Sequence, residues 1–128
     1  MSTNNIIKIS IILIIIAILL GAFSSHYFNK ILLEKQISSI NIGIRYQLFH
    51  SLSLLLICLN KKKFNQHINK SLYFMLAGTL LFSFSIYLLN LNKYIEIPLF
   101  ILGPTTPFGG MLLITSWIFL FFSIKKVN

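Results

Sequence analysis

"IILIIIAILLGAF", residues 11–23, is an unbroken run without a charged or hydrogen-bonding side chain. Extended outward past Ser10 and Ser24 it becomes a span over roughly 6–28, the length at which a helix crosses a hydrocarbon core of about 30 Å. Three further apolar runs follow, over roughly 44–59, 71–91 and 108–124. Across all 128 residues, 56% are hydrophobic and 10% are charged, whereas soluble domains carry about 25% charged residues. A water-soluble globule is excluded. Four spans use the whole chain, so residues 1–128 are predicted to form one all-α integral membrane domain, four transmembrane helices in a compact up-down bundle.

The first run also fits a secretory signal, with small residues at Ala22 to Ser24 as the cleavage site. The length of its apolar core and the three runs behind it favour an uncleaved first helix. "NKILLEKQISSINIG", Asn29 to Gly43, alternates apolar and polar residues and is expected as a connector that lies as a short amphipathic helix along the surface. "NLNKYIEIPLFILGPTTP" is expected as a longer connection before the last span.

Eleven Lys and Arg against two acids give a net charge of +9. In a soluble protein that balance points to nucleic acid, but here the cations cluster in short loops and at span ends, where membrane topology and anionic lipid heads account for them. No basic helix or aromatic sheet is available to dock on bases, so nucleic acid is not an expected partner. On alternate sides of the membrane, Lys8, Lys61, Lys62, Lys63, Lys70, Lys125 and Lys126 oppose Lys30, Lys35, Arg45 and Lys93. The richer side is expected in the cytoplasm with both termini. Cys58 is the sole cysteine, which rules out an internal disulfide and a CxxC metal pair.

Polar side chains at membrane depth are costly and mark candidate sites. In "RYQLFHSLSLL", Tyr46, Gln47 and His50 share a helical face by their spacing of three and four. His26 ends the first span on the same side, so the two histidines are candidates to meet. Arg45 begins the second span and either snorkels to lipid phosphates or pairs with Glu34 or Glu96, the only acids. Three chemistries fit this cluster: structural hydrogen bonding between helices, a proton or ion path, and haem or copper ligation by the two histidines. Two ligands are few for a metal, and the first reading is preferred, with no metal and no cofactor expected. No Ser, Thr or Cys nucleophile has a base beside it in sequence, and no phosphate loop occurs, so enzymatic activity is not expected.

Gly78 and Ser85 on the third span, and Gly109 and Ser116 on the fourth, are seven apart and line one side of each helix, where small residues let membrane helices pack closely. Pro104 and Pro107 are expected to hold the chain in a turn until Phe108, with Thr106 as N-cap, Pro107 at the first helical position and Gly110 beside Gly109 in the first turn.

Four short motifs recur in the order of a known family. "LGAFSSH" (residues 20–26), "RYQLFH" (45–50), "FSFSIY" (82–87) and "TPFGG" (106–110) together resemble the domain of unknown function 423 family, also called uncharacterised protein family 0382. Ser24 and Ser25 stand where its pattern has Gly and Ala, and Phe84 where it has Gly. The resemblance implies a four-helix bacterial inner-membrane protein and brings no activity with it. The expected role is structural or interaction, in membrane integrity or complex support, with lipids, other membrane proteins or a second copy as partners. The alternative is an oligomeric transporter or channel for a small solute or ion using the His/Gln/Tyr face.

Overall fold

The computed structural model describes residues 1–95 and 99–125. Four helices carry the chain: α1 (Thr3–Phe23), α2 (Glu34–Leu59), α3 (Ile68–Ile95) and α4 (Leu99–Ser123). All four are long and apolar enough to cross a membrane. In hydrocarbon a backbone amide finds no water, so a run of apolar residues must satisfy its own N–H and C=O groups, and the helix does this within one segment.

Ser2 caps α1, its hydroxyl accepting the Asn5 N–H at 3.3 Å. At its far end α1 widens into a π turn over Ser24–Phe28 and closes with one α turn, Asn29–Ile31. Only Leu32 and Leu33 then separate it from α2, whose start is fixed by Gln36 Oε1 accepting the Leu33 N–H at 3.0 Å. The expected surface connector over Asn29–Gly43 is therefore corrected, because from Glu34 onward it is the first part of α2. Three of its polar residues, Gln36, Ser39 and Asn41, bond to other helices. Asn41 Oδ1 accepts from Ser24 at 2.8 Å, Gln36 Nε2 donates to the Asn90 carbonyl at 3.0 Å, and Asn90 Nδ2 donates to Ser39 at 2.9 Å.

The turn expected at Pro104 and Pro107 is also corrected. Both prolines lie inside α4, which is helical from Leu99. A proline's fixed φ is helical, and its missing N–H costs most where water and side chains cannot compensate. Here Thr105 Oγ1 donates to the Leu102 carbonyl at 2.6 Å. Thr106 does not cap the helix. Its hydroxyl meets the Ser85 hydroxyl of α3 at 2.7 Å.

The helices pack in chain order, α1 on α2, α2 on α3 and, most extensively, α3 on α4. Lipid tails are as apolar as leucine, so close backbone approach rather than hydrophobic exclusion holds such helices together. Gly78 and Gly109 mark where α3 and α4 come closest. A Cβ on Gly109 would lie 2.5 Å from the Phe82 nitrogen, and one on Gly78 would lie 2.9 Å from the Leu113 nitrogen. Gly110 has ordinary room, 3.7 Å from the Phe82 ring. Ser116 is buried, and its carbonyl accepts from Ser71 of α3 at 2.8 Å.

The start of α1 and the end of α4 lie at the end of the bundle that carries the lysine loop. Lys61 Nζ donates to Thr3 at 2.8 Å, the Asn65 N–H to the Ser123 carbonyl at 2.8 Å and the Lys125 N–H to the Lys63 carbonyl at 3.3 Å. The terminal amine of Met1 donates to Tyr73 at 3.0 Å.

Candidate functional site

The middle of α2 carries the candidate residues, and the helix distributes them over different surroundings. Successive residues turn by about 100°, so Gln47 points into the bundle and is fully buried, whereas its neighbour Tyr46 is 44% exposed. Gln47 uses both ends of its amide. Nε2 donates to the Leu13 carbonyl of α1 at 2.8 Å, and Oε1 accepts from the Tyr87 hydroxyl of α3 at 2.8 Å. One side chain thereby links three helices.

Tyr87 reaches Gln47 because position 43 is glycine. A Cβ there would stand 2.7 Å from Cε1 of the tyrosine ring. The carbonyl of the same glycine accepts from Ser83 at 2.9 Å. Gly43, Ser83 and Tyr87 were absent from the expected site. Gly43 and Gln47, and Ser83 and Tyr87, are each one turn apart, but the spacing does not tell which helix each pair meets.

His50 is nearly buried, and both its ring nitrogens are engaged. Nδ1 lies 2.8 Å from the Tyr46 carbonyl, so it carries the proton, and Nε2 accepts the Trp117 indole N–H at 3.2 Å. This is the hydrogen-bond pattern of the neutral ring. Trp117, on α4, carried no signal in the sequence. Arg45, Tyr46, Phe49 and His50 line an open cleft of about 380 Å³.

His26 and His50 do not meet. His26 is exposed in the π turn, at the level where Ser24 bonds Asn41, and His50 is nine residues further along α2, about 14 Å of helix. Among the described residues no three His, Cys, Asp or Glu side chains gather as a metal site. Arg45 is exposed and makes no ion pair among the described residues. It does not begin its helix but lies eleven residues, about 16 Å, beyond Glu34. Glu96, its other expected partner, and Lys126 of the charge count lie outside the described residues. Among the described residues only the Ser51 hydroxyl is buried without a partner.

Four apolar helices, joined at their polar positions by side-chain hydrogen bonds, define a small multi-pass membrane protein. The chain belongs to the family described as protein of unknown function DUF423, whose model matches residues 20–110. It is 35% identical over 107 residues to a UPF0382 membrane protein of Haemophilus influenzae, covering 84% of this chain and 82% of that one. To the UPF0382 membrane protein YwdK of Bacillus subtilis it is 30% identical, covering 88% and 89%. To the UPF0382 inner membrane protein YgdD of Escherichia coli it is 32% identical, covering 80% and 75%. No solved structure matches it. With these relatives and four spanning helices, its place is the bacterial inner membrane.

Proposed function

We propose that this protein is a structural or interaction protein without catalytic activity, one that supports membrane integrity or a larger complex. Its partners are lipids and neighbouring membrane proteins or further copies of itself, and nucleic acid is not among them. Both termini face the cytoplasm, on the side of the lysine loop.

The observation that carries this reading is the closure of the interior polar groups on one another, with the Ser51 hydroxyl the exception among the described residues. Gln47, Tyr87 and the Leu13 carbonyl satisfy each other at the centre, as do Ser83 with Gly43, Ser24 with Asn41 and Ser71 with Ser116. A pathway for ions needs polar groups left open to water along its length. His50 likewise has no free ring nitrogen to serve as a base.

Protein reconstituted into vesicles loaded with a pH-sensitive dye is expected to leak protons and potassium no faster than empty vesicles. A flux that His50→Gln abolishes while the protein stays folded would replace this proposal with the second reading, an oligomeric pathway lined by Tyr46 and His50.

A further inference from the structure

Arg45 lies where a cation is hard to keep. Counting back from Leu59, where the lysine loop begins, about 20 residues cross the hydrocarbon and end near Ile40. On that count Arg45 falls about 8 Å inside the apolar slab, on the side away from the lysines. Its guanidinium is a cation, and it is exposed on the outside of the bundle.

The same residue stands at one end of the cleft. Phe49, 58% exposed, is one turn deeper into the membrane, and its ring lies 5.9 Å from that of Trp117, which His50 holds through the indole N–H. Tyr46 closes the side toward α3, its ring 4.5 Å from that of Phe82. From the polar surface inward, the order is a cation and then an aromatic wall. A phospholipid presents the complementary order, an anionic phosphate followed by an acyl chain.

We propose that Arg45, Tyr46, Phe49, His50 and Trp117 form a binding site for a phospholipid of net negative charge, drawn from the leaflet opposite the lysine loop. The guanidinium pairs with the phosphate, and an acyl chain lies along Phe49 and Trp117. A net-negative head is preferred because no headgroup ammonium then competes for the phosphate. The depth of Arg45 selects a lipid over a soluble phosphate, since a free anion must leave water to reach it. The lipid site stands whether or not the protein also has a protein partner.

Trp117 is the only tryptophan, so its fluorescence reports on the cleft. The full-length protein would be titrated in mixed micelles with phosphatidylglycerol or phosphatidylcholine brominated on the acyl chain, which quenches the indole on contact. Wild type is expected to favour phosphatidylglycerol about fivefold, the factor that ~1 kcal/mol per cation represents. Arg45→Gln should bring the ratio to about one. Arg45→Lys and the triple change Lys61→Gln, Lys62→Gln and Lys63→Gln should keep it, and millimolar glycerol phosphate should not compete. If Arg45→Gln does not fold, Arg45→Leu, which adds no polar group at a lipid-facing position, provides the same comparison. Equal quenching in wild type, a ratio that survives loss of the arginine, or one lost in the lysine variant would each overturn the site. So would a dimer in which Trp117 is shielded from both lipids until Arg45 is replaced, which assigns the cleft to a second copy.

Discussion

Gln47 and His50 look alike in the sequence, two polar residues one turn apart, yet they hold unequal shares of the structure. Replacing Gln47 by Leu strands the Tyr87 hydroxyl in the interior, whereas replacing His50 by Leu removes the acceptor of a partly exposed indole and a donor to the Tyr46 carbonyl. Hydrogen bonds between membrane helices average about 0.6 kcal/mol and reach about 1.7, and an orphaned buried donor adds to the loss. Gln47→Leu is therefore expected to cost about 1 to 2 kcal/mol in unfolding by sodium dodecyl sulfate. His50→Leu should cost less, and His50→Gln, which retains a donor and an acceptor, least of all. Adding Tyr87→Phe to Gln47→Leu should cost little more, because both ends of the bond are then apolar. If His50→Gln were as damaging as His50→Leu, the imidazole would be needed for more than its hydrogen bonds. Spacing alone puts Tyr46, Gln47 and His50 on one face, whereas Gln47 and His50 are buried and Tyr46 is 44% exposed. It says nothing about which neighbouring helix each one meets, so Tyr87 and Trp117, each on another helix, came only with the tertiary structure.

At the scale of the elements, α3 and α4 approach most closely through two glycines, and Gly109 is the tighter. Its Cβ would meet backbone, which moves only if the helices separate. Gly109→Ala is expected to lower stability by about 1 to 3 kcal/mol, the usual range for forced overpacking. Gly21→Ala has open space around it and should be neutral or slightly stabilising, since alanine is the better helix former. The same detergent unfolding measurement separates the two, and a harmless Gly109→Ala would mean that the interface is looser than its backbone contacts. The four helices were legible from hydropathy, but their ends were not. Asn29–Gly43 and the Pro104–Pro107 stretch are polar or proline-rich, which in water marks a loop. Here Gln36, Asn41, Thr105 and Thr106 find partners on the helices themselves, so α2 already starts at Glu34 and α4 runs through both prolines.

For the molecule as a whole, an up-down chain of four spans brings the lysine loop and both chain ends to one side. Reporter fusions after Lys63 and at Asn128 are expected to read as cytoplasmic, and one after Lys93 as periplasmic. A periplasmic signal at Lys63 would reverse the orientation. Packing in chain order also means that the outer helices, α1 and α4, are mostly bare on their lipid sides. Each rests chiefly on a single neighbour. The lysine loop compensates for this in a mechanical sense. It grips Thr3 at the start of the first helix and Ser123 at the end of the last, so the chain is drawn into a ring that no covalent bond closes. A pull applied at Ile124 reaches Thr3 through a handful of loop residues without crossing the interior. The two free edges of the row thus share one clasp, and neither can swing away without loosening the other.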